Sequence, residues 1–130
     1  MSYGSKQIPT EIRQITAEKL LRISWDTGEV FDYTMEYLRV MCPCASCSGH
    51  TPDEAKLIDG QQNVTIKSIT PTGRYAIKID FSDDHDTGLY SWDTLYDLGS
   101  HQEVYWKEYL AELEKAGKRR RPSVFAIKPV

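Results

Sequence analysis

The three cysteines of the chain lie within six consecutive residues. They are Cys42, Cys44 and Cys47, and no other position of the 130-residue sequence is a cysteine. An odd number of clustered thiols argues against a disulfide framework. Buried structural thiols are a weaker interpretation, because core cysteines have no reason to gather beside a proline. The CxC and CxxC spacings instead allow three thiolates to converge at ~2.3 Å on one Zn²⁺, so the cluster predicts a metal site.

A structural zinc site needs a fourth ligand, and histidine is the usual one. The sequence offers His50, His85 and His101. His50 would close a local knuckle, whereas His85 would attach the cysteine segment to a predicted strand and turn binding energy into stability. His85 fits a solvated histidine of an acidic turn equally well, and His101 is more simply the first residue of a helix. Spacing alone therefore leaves His50 and His85 open.

Other chemistries have less support in the sequence. Neither a GxxxxGK[ST] phosphate loop nor a GxSxG elbow is present, which leaves nucleotide hydrolysis and acyl transfer by those routes without a basis. The acids Asp83, Asp84 and Asp86 do not have the spacing of an EF-hand loop and are interpreted as a solvated turn. His101 and Glu103 resemble half of a facial triad, but they lie at a predicted helix start.

Hydropathy patterns predict the elements that carry the cysteines. Leu20–Trp25 alternates apolar and polar residues, residues 26–28 form a turn, and residues 29–34 continue as the second strand of a hairpin. Thr34 is a suitable N-cap for a short helix that runs to Met41. This helix leads directly into the cysteines.

The sequence of the second half of the chain predicts another hairpin and two helices. Residues 64–69 and 74–81 form the hairpin, with Tyr75, Ile77, Ile79 and Phe81 on one face. Gly88–Ser91 is a short strand, and residues 92–98 are a short helix.

The long helix has the clearest signals. Ser100 and Glu103 match a capping box, and Gly117 lies where a C′ residue belongs. Its apolar residues recur at helical spacing. They are Trp106, Tyr109, Leu110 and Leu113. The expected fold is α+β: an antiparallel sheet of two hairpins packed against this C-terminal helix.

Composition is that of one soluble domain. Of its residues, 40% are hydrophobic and 27% are charged. The length of 130 residues is too short for a (β/α)₈ barrel. It has no apolar run of 18 residues and no secretory signal, so we expect a cytoplasmic protein without a membrane segment. Residues 118–130 hold five bases and no acid, which leaves 11 bases against 19 acids elsewhere. The excess of acidic residues outside this tail makes nucleic acid an unlikely partner.

Four short segments resemble a known family. Residues 38–47, preceded by residues 25–28 and followed by residues 81–85 and 89–92, resemble the gamma-butyrobetaine hydroxylase-like N-terminal domain. The likeness covers roughly residues 10–115. We expect this domain over residues 11–117, between a flexible leader over residues 1–10 and a tail over residues 118–130 that is basic in composition.

The resemblance also implies a ligand set and a function. In the family's hydroxylases this domain binds one zinc, and the matching positions here are Cys42, Cys44, Cys47 and His85, which favours His85 over His50. The cysteine loop would then be a zinc-bound loop. The oxygenase barrel that follows in those hydroxylases is not in this sequence, so we expect a non-catalytic module that docks onto another protein or forms a homodimer. The alternative is an accessory factor of iron–sulfur cluster assembly that holds iron or a cluster through the same thiolates.

Overall fold

The computed structural model describes residues 7–43, 57–83, 85 and 88–120. Within them the fold is α+β, as predicted. The strands are β1 Pro9–Ile15, β2 Leu20–Trp25, β3 Val30–Thr34, β4 Ile66–Thr72, β5 Ala76–Phe81 and β6 Gly88–Ser91. The helices are α1 Met35–Val40, α2 Trp92–Ser100 and α3 Gln102–Ala116, and a 3-10 turn covers Thr16–Glu18. Residues 1–6 of the predicted leader and 121–130 of the predicted tail lie outside the described residues.

The two predicted hairpins lie in separate sheets, so the expectation of one shared sheet is wrong. One sheet has the order β1-β2-β3 and the other β4-β5-β6, and both are antiparallel. Each hairpin pairs with a third strand of its own: β1 adds to β2 with Ile12 opposite Ile23, and β6 adds to β5 with Tyr90 opposite Ile77. Within the described residues, β3 and β4 remain edge strands of their own sheets and do not pair with each other.

The core is built from alternate residues of the two central strands. Leu21, Ile23 and Trp25 of β2 are buried, and Ile77 and Ile79 of β5 are buried with them. This is the period of two that the sequence predicts for half-buried strands. Tyr75, which was placed on the same face of the second hairpin, precedes β5 and is exposed.

Buried tyrosines attach the helices to the sheets. The Tyr33 hydroxyl donates to the Leu95 carbonyl at 2.6 Å, and the Tyr37 hydroxyl donates to the Leu98 carbonyl at 2.7 Å. Burial raises the pKa of Tyr33 and of Tyr37 above the usual value for a phenol. Both hydroxyls therefore keep their protons at neutral pH and hold α2 against β3 and α1.

One helix start agrees with the sequence prediction and another does not. The Thr34 side chain accepts from the Tyr37 N–H at 3.0 Å, which confirms the N-cap of α1. The predicted capping box at Ser100 is wrong, because α2 continues through Ser100 and its hydroxyl donates back to the Tyr96 carbonyl at 2.7 Å. α3 begins at Gln102 and ends, as predicted, at Gly117, which has a positive φ of 70°.

Gly99 allows α2 to approach the first sheet closely. A methyl group on its Cα would overlap the Phe31 ring and lie 2.6 Å from the Tyr33 hydroxyl. Alanine gains about 1 kcal/mol over glycine from helix propensity, but overpacking against the partly buried Phe31 ring and the buried Tyr33 costs about 1–3 kcal/mol or more. We expect Gly99→Ala to lower the free energy of unfolding by about 2 kcal/mol in urea denaturation. The exposed Glu112→Ala variant should stay within about 0.5 kcal/mol of wild type, and a Gly99→Ala chain as stable as that control would contradict the packing argument.

Among the described helices, none is long and apolar enough to cross a membrane. The longest, α3, has 15 residues, and a span needs about 20.

Candidate metal centre

The first predicted ligand, Cys42, lies immediately beyond α1. The Met41 N–H donates to the Tyr37 carbonyl at 3.0 Å, and the Cys42 N–H donates to the Arg39 carbonyl at 3.3 Å. The backbone of Cys42 is therefore held in place by the last turn of α1. Cys42 is 3% exposed and belongs to the hydrophobic core. The predicted ligands Cys44 and Cys47 and the alternative candidate His50 lie outside the described residues.

His85 is held by its backbone in the turn that follows β5. Its carbonyl accepts from the Phe81 N–H at 2.9 Å, and its own N–H donates to the Asp83 carboxylate at 3.2 Å. The imidazole lies beside the Phe81 ring, with 6.3 Å between ring centroids. The turn thereby presents the imidazole on the side of the sheet that faces the end of α1.

The structure brings Cys42 and His85 together. The Cys42 Sγ lies 3.1 Å from the His85 Nε2, although the two residues are 43 positions apart in the sequence. In a tetrahedral site with the usual zinc bond lengths, sulfur and nitrogen ligands lie about 3.5 Å apart. The observed pair needs to open by only a few tenths of an ångström, and thiolate with imidazole is a donor set that zinc prefers. The pair fits half of a zinc site.

A complete ligand set cannot be assembled from the described residues. No group of three or more histidine, cysteine, aspartate or glutamate side chains in that part of the chain could hold a metal ion. Two of the four predicted ligands, Cys44 and Cys47, are outside it.

Asp83 forms an ion pair that the sequence analysis missed. Its carboxylate accepts from the Arg39 Nε at 2.8 Å, and the side chains are 9% exposed for Arg39 and 28% for Asp83. Asp83 lies in the turn after β5 and is exposed, as expected, but the expectation did not include this ion pair. Asp84 and Asp86, which shared that expectation, lie outside the described residues. The ion pair joins residues 44 positions apart, and no spacing rule connects them.

His101 lies at the junction of α2 and α3, as its interpretation as a helix-start residue requires. Its Nδ1 is 3.1 Å from the Asp97 carboxylate, and more than half of its side chain is exposed. Its neighbour Glu103 lies in the first turn of α3 and is exposed. Both residues are exposed on the protein surface.

These observations define a class of protein: a small α+β domain in which a cysteine at a helix end contacts a histidine from a strand loop. The chain belongs to the family described as gamma-butyrobetaine hydroxylase-like, N-terminal, whose model matches residues 12–96. The matched region contains Cys42, Cys44, Cys47 and His85. The resemblance found in the sequence is thereby confirmed.

Solved structures show the same fold. Two solution NMR structures are each 38% identical to this chain; one covers 95% of it and 98% of its own length with a TM-score of 0.78, and the other covers 100% and 97% with a TM-score of 0.79. A crystal structure from Acidithiobacillus ferrooxidans is 33% identical, covers 70% of this chain and 91% of its own, and has a TM-score of 0.60. It is described as a protein of unknown function of the DUF971 family. Comparison with curated proteins finds no match.

Proposed function

We propose that the chain binds one zinc ion through Cys42, Cys44, Cys47 and His85. The observation that carries this proposal is the 3.1 Å contact between the Cys42 Sγ and the His85 Nε2. These atoms come from a helix end and from a strand loop, and the usual reason for a buried thiol to face an imidazole beside two further cysteines is a shared metal ion.

Four protein ligands around one zinc leave no open coordination position for a substrate, which is the pattern of a structural site rather than a catalytic one. The residues then act as a cross-link between the end of α1 and the turn after β5. The cross-link joins segments 43 positions apart and therefore closes a long loop. The conformational entropy that a cross-link removes from the unfolded chain grows with the length of that loop. We therefore propose a non-catalytic module of the cytoplasm, where thiols stay reduced, that docks onto another protein.

Elemental analysis of the full chain tests this proposal. The protein is purified aerobically and anaerobically, and zinc, iron and acid-labile sulfide are measured beside a visible spectrum. We expect one zinc per chain and a colourless protein from both preparations. A brown protein with iron and sulfide would contradict the zinc proposal and support the alternative role in iron–sulfur assembly.

Two histidine variants identify the fourth ligand. We expect His85→Ala to lose most of the bound zinc and His50→Ala to keep it. His101→Ala is the matched control, since its imidazole lies on the surface beside Asp97. Full zinc content in His85→Ala together with loss of zinc in His50→Ala would show that the fourth ligand is local to the cysteine segment.

A further inference from the structure

We infer that Asp83 is a positioning residue for the metal site, and that it ties the His85 turn to the helix that leads into the cysteines. The inference rests on the proposed zinc site. It concerns residues that neither the sequence patterns nor the family resemblance assigns a role.

The two carboxylate oxygens of Asp83 serve different segments of the chain. Oδ1 accepts from the His85 backbone N–H at 3.2 Å, and Oδ2 accepts from the Arg39 Nε at 2.8 Å. The first bond fixes the main chain that carries the imidazole, and the second fixes that turn to α1. Asp83 therefore acts through the position of the His85 backbone, and no contact with the metal is required.

Arg39 completes the connection on the cysteine side. Its guanidinium is bound to Asp83, and its carbonyl accepts from the Cys42 N–H at 3.3 Å. The Cys42 Sγ in turn meets the His85 Nε2. Cys42, Arg39, Asp83 and His85 thus form a closed ring of contacts, which we call the ligand ring.

The burial of the ligand ring determines how strongly its hydrogen bonds hold the two ligand segments in place. The Arg39 side chain is 9% exposed and the Asp83 side chain 28%, so their bond is a partly buried, charge-assisted hydrogen bond, which is stronger than a fully exposed pair. A ring held in this way orders both ligand segments before metal arrives, which lowers the entropy cost of binding. Groups that orient metal ligands typically change metal affinity by about 10–100-fold when they are removed.

The test is zinc affinity, measured by competition with a chromophoric chelator on the full-length chain. We expect Asp83→Ala to weaken zinc binding by about 10–100-fold. Arg39→Met removes the ion pair but leaves the Asp83 bond to the His85 backbone, so we expect a smaller loss. The double variant should bind zinc no more weakly than Asp83→Ala, since both residues act through the same ring.

Asp32→Ala is the matched control. It also breaks an arginine–aspartate pair, because Asp32 accepts from the Arg22 Nε at 2.7 Å, but this pair lies between β2 and β3 on the surface. Its zinc affinity should equal that of wild type. Circular dichroism of every variant reports whether the fold is kept, and Arg39→Met provides the test if Asp83→Ala does not fold.

A metal-free measurement separates positioning from zinc binding. In the chelated wild-type and Asp32→Ala chains, the His85 amide should exchange more slowly with solvent than in chelated Asp83→Ala, as followed by NMR. Equal zinc affinity and equal exchange for Asp83→Ala and Asp32→Ala would overturn the inference while leaving the zinc proposal intact. A wild-type chain that binds no zinc would overturn the zinc proposal and the inference with it.

Discussion

Removing zinc with a chelator should lower the midpoint of thermal unfolding of the wild-type chain by roughly 10–20 °C. A ligand that binds only the folded state at 1,000 times its dissociation constant stabilises that state by about 4 kcal/mol. For a domain of this size each kcal/mol corresponds to a few degrees. The measurement is differential scanning calorimetry with micromolar free zinc or with excess chelator.

The metal-free chain should still unfold cooperatively. The core residues contributed by β2 and β5 are fully buried, with Leu21, Ile23 and Ile79 each 0% exposed. His85→Ala serves as the control: its midpoint should match that of the chelated wild type and should not respond to chelator. An unchanged midpoint after zinc is stripped from a chain that carried one ion per molecule would contradict a structural role for the metal.

The sequence predicts five of the six described strands, and the two with strict alternation give the clearest signals. β2 and β5 bury every second residue, so a period of two was enough to place both hairpins. In β1 the partly buried residues recur every third position instead, and that spacing resembles neither a half-buried strand nor a helix. The separation into two sheets follows from β1 and β6 pairing with the hairpins, and such pairings are set by contacts across the sheets rather than by local sequence.

The metal site was predictable in part. The cysteine cluster pointed to a metal ion by its composition and spacing, but the choice of His85 needed the resemblance to a family, because its own neighbourhood looks like an acidic turn. The pairing of Arg39 with Asp83 gave no signal, since the two residues are distant in the sequence until α1 and the turn after β5 come together. The capping box at Ser100 failed for a related reason: its hydroxyl bonds back into α2, and a sequence match cannot tell which of two adjoining helices a serine serves.

Arg120→Met should lower the free energy of unfolding by about 2–3 kcal/mol. The Glu36 side chain is 7% exposed, and its two carboxylate oxygens accept from the Arg120 Nε at 3.0 Å and the Nη2 at 2.8 Å. The arginine also lies 5.2 Å from the centre of the Trp106 ring, and its bonds to Glu36 raise its pKa. Removing one partner of a buried pair costs about 3–5 kcal/mol, and we expect the lower end because the Arg120 side chain is 40% exposed.

Urea denaturation of three variants distinguishes this ion pair from a general effect of charge. Arg119→Met removes the neighbouring cation, whose side chain is exposed, and should change stability by less than about 0.5 kcal/mol. The double variant Glu36→Gln/Arg120→Met should recover much of the loss, because a neutral amide is less costly to bury than an unpaired carboxylate. The backbone at these arginines is held separately, because the Arg119 and Arg120 carbonyls accept from the Gly60 and Gln62 N–H groups, each at 2.9 Å. An Arg120→Met chain as stable as Arg119→Met would show that Glu36 does not depend on Arg120.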